Sequence, residues 1–442
     1  MQRAGLAIAQ LAMALAPHAR VFWIACGPGN NGGDGFACAS HLSRWGKTVV
    51  ASTLSSLQTY SAPAQSAYFA ALEAGVNISA QAPEQFDFCI DALFGIGTLR
   101  PFESIHVDWI ERMNSGRAPV LAIDLPSGLQ GDTGVVTQPH VRADHTLSLL
   151  TLKPGQFTNG GRDACGEIWF HGLDCASSQR ADATLIGDAV AVQRPHNSHK
   201  GSFGDVAIIG GAKGMTGAAL LAASAALHGG AGRVYVQLEE GPDAGFVLPP
   251  ECMLREFEQL PLAALTVVAG CGAGPGIHTR LEAILQQSAR LVLDADALNQ
   301  IAQTPHLETL VALRPKGQTV ITPHPLEAAR LLGCDVARIQ ADRVSAARQL
   351  SEKFRCVALL KGSGTVVCAP DGVICINPTG NAKLASAGTG DVLAGLIGAR
   401  MAAGLDALDA ASSAAHLHGL IAQRWPAGQS LTAGALAAAL MP

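Results

Sequence analysis

What the chain lacks narrows its function first. It has no run of lysine or arginine, its formal net charge is -5 over 442 residues, and only 15% of residues are charged. Nothing in it can neutralise a nucleic-acid backbone or grip an anionic membrane surface, so small molecules are the expected partners. Aromatic residues make up 5%. The eleven cysteines include no C-x-x-C pair, and Cys26, Cys89 and Cys356 sit in apolar strand-like runs, which suits a reducing cytoplasm. No stretch approaches the uninterrupted apolar length of a membrane span. The start "MQRAGLAIAQLAMALAPHA" imitates a secretory signal. It reads better as an alanine-rich helix leading into a strand at 21 to 25. Repeats and low-complexity tracts are missing too.

What is present is 48% hydrophobic with 49 glycines, the balance of compact α/β domains. The length calls for two domains. In the first half "VFWIA", "KTVVAS", "FDFCID", "APVLAID" and "HTLSLL" alternate with stretches long enough for crossover helices, which predicts a parallel sheet covered on both faces. The pattern lapses after "GEIWFHGLD". It resumes with "GDVAIIGG", "RVYVQL", "LTVVAG", "RLVLDA", "QTVIT" and "RCVALLKG", so the expected domains are 1–180 and 181–442. "GTVVCAPDGVICIN" reads as an appended hairpin with a Pro-Asp-Gly turn.

The loop "GPGNNGGDG" after the first strand satisfies G-x-G-x-x-G through Gly27, Gly29 and Gly32. A dehydrogenase needs an acid at the end of the second strand to hold the ribose, and that strand ends "VVASTLSS". Asn30, Asn31 and Asp34 add side-chain oxygens that a bare pyrophosphate cradle does not need. Asp91 ends one strand, and Asp124 and Ser127 follow another. In a doubly wound sheet such strand ends converge, and oxygen donors there suit a hard cation. Each residue singly also reads as a turn former or helix cap.

"GNNGGDG", "DALFGIGTLRP" and "DLPSGLQGDTG", in that order, closely resemble the NAD(P)H-hydrate epimerase domain, from the start to about residue 175. The resemblance implies a Rossmann-like three-layer αβα fold and a potassium ion at Asn31, Asp91 and Ser127. It implies a hydrated nicotinamide nucleotide along Asn30, Asn31, Gly32, Gly33 and Asp34, along Gly95, Ile96, Gly97, Thr98, Leu99, Arg100 and Pro101, and at Asp124. A carboxylate such as Asp124 can exchange the proton as water leaves and returns beside the ring nitrogen. Family members usually carry a further helical segment before "ERAG", where this chain begins "MQRAG".

In the second half "AGTGDVLAG" sets glycines before a helix whose first turn carries Asp391. Free amides and the positive helix end can stabilise developing phosphate charge, and the carboxylate can take a proton from an attacking hydroxyl. An aspartate at a helix start is also favoured by the dipole alone. No P-loop sequence occurs. Together with "KGSGT", "TPHPLE" and "AGCGAGPG", the motif resembles the ribokinase-like superfamily and, within it, the ADP- or ATP-dependent NAD(P)H-hydrate dehydratases, over nearly all of 183–442. The resemblance implies that Lys361, Gly362, Ser363, Gly364, Thr365 and Gly390 contact the adenine nucleotide, with magnesium as its companion. It implies that Ala218, Gly272, His324 and Asp391 face the hydrate.

Two departures stand out. Cys271 and Ala273 replace the usual Pro and Leu of G-P-G-L-G, and Ala387 replaces a glycine. His324 reads equally as a turn residue or a ligand contact. "DADALN" offers Asp294 or Asp296 to magnesium-phosphate, or simply a strand end and helix cap. His196 and His199 read as linker, and His416 and His418 as helix packing. The expected whole is a cytoplasmic, homo-oligomeric, two-domain repair enzyme that epimerises hydrates of NADH and NADPH and dehydrates the S form, with ADP preferred over ATP. The alternatives are a vitamin or sugar kinase with an accessory domain, and a non-catalytic first half serving as a binding module.

Overall fold

Strands buried on both faces must be apolar at every position, and the runs VFWIAC, FCIDA and VLAI are buried almost throughout. In the computed structural model, which describes residues 1–97, 102–176, 180–187, 195–241 and 247–440, they are central strands. The chain divides into two compact units, Met1–Arg180 and Ala181–Pro442.

The first unit holds β1 (Val21–Cys26), β2 (Thr48–Ser52), β3 (Asn77–Ser79), β4 (Phe88–Ala92), β5 (Val120–Ile123), β6 (His145–Leu149) and β7 (Glu167–His171), all parallel in the order β3-β2-β1-β4-β5-β6-β7. Alternate side chains of β1 enter different cores. Phe22, Ile24 and Cys26 pack with the helices Gln2–Leu15, Asn30–Arg44 and Ala62–Glu73, while Trp23 and Ala25 pack with the helix Ser104–Ser115. That alternation produces three layers. The amino-terminal stretch is a helix, as its alanine content predicts. A Cβ on Gly5 would stand 2.4 Å from that of Ala37, so the helix crosses Asn30–Arg44 at very close range. The strand order reverses between β1 and β4, which opens a crevice at their carboxyl ends.

The second unit holds β8 (Thr184–Leu185), β9 (Asp205–Gly210), β10 (Arg233–Leu238), β11 (Cys252–Leu254), β12 (Thr266–Ala269), β13 (Arg290–Leu293), β14 (Thr319–Ile321), β15 (Val357–Leu360), β16 (Val366–Cys368) and β17 (Ile374–Ile376). Their order is β11-β10-β9-β12-β13-β14-β15-β16-β17-β8. The strands from β11 to β15 run parallel, β16 pairs antiparallel with both β15 and β17, and the expected hairpin turns at Gly372 with φ +89°. The order reverses between β9 and β12. The helices Thr216–His228 and Thr389–Ala402 lie so close that a Cβ on Gly395 would stand 2.0 Å from the Ala222 carbonyl oxygen. This contact fixes where the second helix points its amino end.

The short strands β3, β8 and β11 escape the sequence reading. Two or three residues show no periodicity, and their pairing partners decide them.

Candidate active sites

In the first unit the crevice between β1 and β4 is built by backbone contact. Gly27 donates its N–H to the Ala92 carbonyl at 3.0 Å. A Cβ on Gly27 would stand 1.8 Å from the Leu93 oxygen, and one on Gly32 would stand 2.0 Å from the Gly27 oxygen. The glycines of "GPGNNGGDG" therefore serve close packing of a strand, a turn and a helix. The helix Asn30–Arg44 starts on Gly29, which has no side chain to cap it. Its first N–H groups are thus available to an anion.

Register brings Asp91 level with Ala25 of β1 and Ala122 of β5. Its carboxylate is fully buried and accepts from Ser127 Oγ at 2.7 Å, Ser127 N at 2.8 Å and Leu93 N at 3.1 Å. Burial pushes its carboxyl up to about 6, and the Ser127 and Leu93 hydrogen bonds oppose that rise. Ser127 Oγ also accepts from Phe94 N at 3.0 Å, which ties the loop after β4 to the loop after β5. Gly95 abuts Asn31, with its notional Cβ 3.1 Å from Oδ1, and the Asn31 Nδ2 atom is buried without a partner. Asn31, Asp91 and Ser127 thus join one chain of contacts, 31 to 95 to 94 to 127 to 91.

Asp124 takes a left-handed backbone, φ +66°, at the end of β5. Its carboxylate is ion-paired with Lys153 and accepts from Leu149 N at 3.1 Å, while Gln156 Nε2 donates to its carbonyl at 2.8 Å. Lys153 also donates to the Leu149 carbonyl at 2.8 Å. Asp34 lies near enough to feel the Asp124 charge. Its carboxyl is raised to about 6, first by burial and further by Asp124, against the opposing amino terminus. Asn30 Oδ1 accepts from Ser61 Oγ at 2.9 Å. Gly33 lies against Ala64, and Ile96 is exposed. Gly97 is open to added volume, and Thr98, Leu99, Arg100 and Pro101 lie outside the described residues.

In the second unit, Gly210 at the end of β9 packs on the Cys271 carbonyl, which accepts from Gly211 N at 3.0 Å; Gly272 accepts from Ala212 N at 2.6 Å. Gly272, at φ +57°, touches Ala218 so closely that a Cβ would stand 2.8 Å from the alanine methyl. At the next strand end Asp294 is buried. Its Oδ1 accepts from Lys361 Nζ at 2.6 Å and from Thr322 Oγ1 at 2.8 Å. Asp296 faces elsewhere and accepts from Gly274 N at 2.8 Å, which braces the "AGCGAGPG" turn. Lys361 Nζ stands 4.0 Å from Glu327 and 3.3 Å from where a Cβ on Gly390 would be. Burial works to lower its pKa, but Asp294 and Glu327 raise it, so it stays a cation. Glu327 is driven up to about 7, chiefly by burial.

The helix Thr389–Ala402 begins on Gly388 at φ +87°, again without a side-chain cap. Ala387 is not among the left-handed residues, so a methyl group there adds no backbone strain. Asp391 is raised to about 6, first by burial and then by Asp294, while the Cys271 thiol and Lys361 pull it down. Among the described residues, Cys271, Asp294 and Asp391 form the group able to hold a metal, with ligand atoms within 4.8 Å of one another. His418, fully buried, sets Nε2 3.0 Å from the Thr389 carbonyl and anchors the helix start from behind; burial lowers it to about 4.

His324 caps the helix Pro325–Leu332. Its Nδ1 accepts from Leu326 N and Glu327 N, and Glu327 returns a bond to His324 N at 2.8 Å. His199 caps a local turn, accepting from Gly201 N at 3.1 Å.

The "KGSGT" loop has a support that the sequence conceals. Arg343, from the helix Arg343–Phe354, is buried and donates to the carbonyls of Leu360 at 3.2 Å, Lys361 at 3.1 Å and Gly364 at 3.5 Å. Gly362, at φ +139°, packs against its guanidinium. The Thr365 carbonyl accepts from Asn377 N at 2.9 Å.

Comparison with known proteins adds to this geometry. The family described as NAD(P)H-hydrate dehydratase matches residues 206–441, and that described as YjeF-related protein N-terminus matches residues 1–155. A bifunctional NAD(P)H-hydrate repair enzyme of Escherichia coli is 38% identical, over 96% of this chain and 84% of its own. The chain belongs to the bifunctional NAD(P)H-hydrate repair enzyme family. A second member, from Coxiella burnetii, is 33% identical over 100% of this chain and 93% of its own. A ribokinase-like protein of Enterococcus faecalis, 24% identical with a TM-score of 0.52, covers 60% of this chain and 96% of its own, and shows the ribokinase-like fold. For a repair enzyme of this family, the residues that the sequence does not single out are Lys153, Arg343 and Glu327. Each acts across a long sequence separation on a residue that it does.

Proposed function

We propose that the first unit epimerises the R and S hydrates of NADH and NADPH, and that the second dehydrates the S hydrate at the expense of ADP or ATP. The products are NAD(P)H, phosphate and AMP or ADP. The carrying observation is the arrangement around Asp391: a half-buried carboxylate in the first turn of an uncapped helix, beside the Lys361 ammonium and the "KGSGT" loop.

At neutral pH a carboxyl near 6 is mostly ionised and can accept the proton of the hydrate's hydroxyl as that oxygen attacks the terminal phosphorus. The amides at the start of Thr389–Ala402 and the Lys361 ammonium oppose the charge that develops on the phosphoryl oxygens. Lys361, Gly362, Ser363, Gly364, Thr365 and Gly390 would line the nucleotide, with Ala218, Gly272 and His324 toward the hydrate. Expulsion of phosphate, with loss of a proton from the neighbouring ring carbon to solvent, then restores the ring double bond. Magnesium accompanies nucleotide phosphates and screens their charge. ADP is the preferred donor in this reading.

In the first unit Asp124 exchanges the proton at the epimerising centre, and the ion pair with Lys153 holds its carboxylate in place. The helix start at Asn30–Arg44 and the loop after β4, including Thr98, Leu99, Arg100 and Pro101, would take the pyrophosphate. The donor set fits potassium: the buried Asp91 carboxylate, which has no ion pair among the described residues, the Ser127 hydroxyl and the Asn31 side-chain oxygen. Bound by Asn31, Asp91 and Ser127, potassium would neutralise Asp91 and give the pyrophosphate a positive anchor.

No helix among the described residues is long and apolar enough to cross a membrane. The free cysteines support a cytoplasmic setting, and the exposed Leu150, Leu152, Trp169 and Phe170 around the edge strand β7 support a homo-oligomer.

The test supplies purified hydrates with ADP or ATP and follows the return of reduced-nicotinamide absorbance, with chromatography of the two epimers. No recovery, and phosphorylation of another alcohol instead, would favour the kinase reading.

A further inference from the structure

The Cys271 thiol takes no part in the reaction proposed above, yet it is fully buried against the base of that reaction. Three separate elements deliver the ligand atoms. Cys271 comes from the turn after β12, Asp294 from the end of β13, and Asp391 from the first turn of Thr389–Ala402. We propose that Cys271, Asp294 and Asp391 form a site for a thiophilic divalent cation, zinc or cadmium, that takes Asp391 out of service and stops dehydration.

Geometry permits it. Zinc bonds of about 2.3 Å to sulfur and 2.0–2.2 Å to carboxylate oxygen imply tetrahedral ligand separations of about 3.5 Å. The ligand atoms stand no more than 4.8 Å apart, so side-chain rotations of about an ångström close the site without moving the sheet. A fourth position is left for water. Charge also permits it. The two carboxylate ligands, the thiolate, the dication and the Lys361 ammonium sum to neutral, with Glu327 lying outside this group at 4.0 Å from Lys361 Nζ. Lys361 need not be stranded when the metal takes Asp294, because Glu327 already lies 4.0 Å from its Nζ. The thiol proton passes to solvent as the sulfur–metal bond forms. Ligand type sets the selectivity. Magnesium prefers an octahedron of oxygens and keeps its waters, whereas sulfur favours the softer ions.

Binding by this site is independent of the reaction assigned to Asp391; only the inhibition rests on that assignment. The full chain is titrated with cobalt(II) as a spectroscopic stand-in, following sulfur-to-cobalt charge-transfer absorption, and zinc is then used to displace it. The expected result is an equimolar complex that excess magnesium leaves intact. In C271S and in C271A, each checked for native melting, the absorption is lost and affinity falls by about tenfold or more. Zinc inhibition of dehydration, scored against each protein's own uninhibited rate, shifts by the same factor. Absence of the band in the wild type, or its persistence in both variants through the other cysteines, overturns the proposal. A cobalt complex in a protein without dehydratase activity would leave the metal site standing and remove the catalytic reading alone.

Discussion

Replacing Asp391 by asparagine tests the dehydratase reading most directly, because the amide keeps the shape and removes the base. A positioned general base contributes about 10²–10⁴-fold, so turnover should fall by that factor, or about 3–5 kcal/mol of transition-state stabilisation. The structure adds a pH signature. With its carboxyl near 6, Asp391 is ionised above that pH and protonated below it. The wild-type rate should therefore be level above about pH 7 and drop about tenfold per unit below about pH 5. In Asp391→Asn this acid limb should vanish along with most of the rate. The assay feeds S-hydrate and nucleotide at saturation and reads reduced-nicotinamide absorbance across pH. Epimerisation, read by chromatography, should be unchanged in the variant. A variant that kept more than about a tenth of the rate would refute the role of Asp391 as base. So would an unaltered acid limb in its residual activity.

Three further outcomes follow from particular contacts. Gly27→Ala places a methyl group 1.8 Å from the Leu93 oxygen, so the loop must shift; denaturant unfolding should show a loss of about 3 kcal/mol or more, with epimerisation impaired. Lys153→Met strips Asp124 of its buried cation and should slow epimerisation by at least about tenfold while dehydration of pure S-hydrate is untouched. Arg343→Met leaves the carbonyls of Leu360, Lys361 and Gly364 without their donor; thermal unfolding should register a loss of about 2–4 kcal/mol, and the KM for nucleotide should rise more than kcat falls.

The legible parts of this protein are those carried by short spacings. The parallel strands announced themselves as apolar runs, and Asp91 and Ser127 sit at strand ends that a doubly wound sheet must bring together. Of the glycine loop only Gly27 to Gly29 is a turn, because the helix Asn30–Arg44 takes in the rest. Its glycines prove to answer to backbone contacts with Leu93 and with each other, which no one-dimensional pattern contains. Lys153 meets Asp124 across 29 residues, and Lys361 meets Asp294 across 67. Nothing local marks either lysine as a partner. The left-handed backbone at Asp124 was hidden for a different reason: an aspartate at positive φ is held there by its surroundings and leaves no glycine as a signature. His324 divides the two cases, since its capping box with Glu327 can be read from three residues of spacing, whereas the lysine beside Glu327 cannot.

The guanidinium behind "KGSGT" changes when the cost of ordering that loop is met. Fixing a backbone residue costs about 1–2 kcal/mol, and five residues left slack until a nucleotide arrived would subtract much of that sum from its affinity. Arg343 gathers two carbonyls of this loop, and that of Leu360 just before it, around one cation, and Gly362 closes against it, so the ordering belongs to folding of the unit. In the site proposed above, a nucleotide would then meet a mould already set. Its affinity reports contacts alone, and a weakened Arg343 would convert a pre-shaped receptor into one that must be moulded at each turnover.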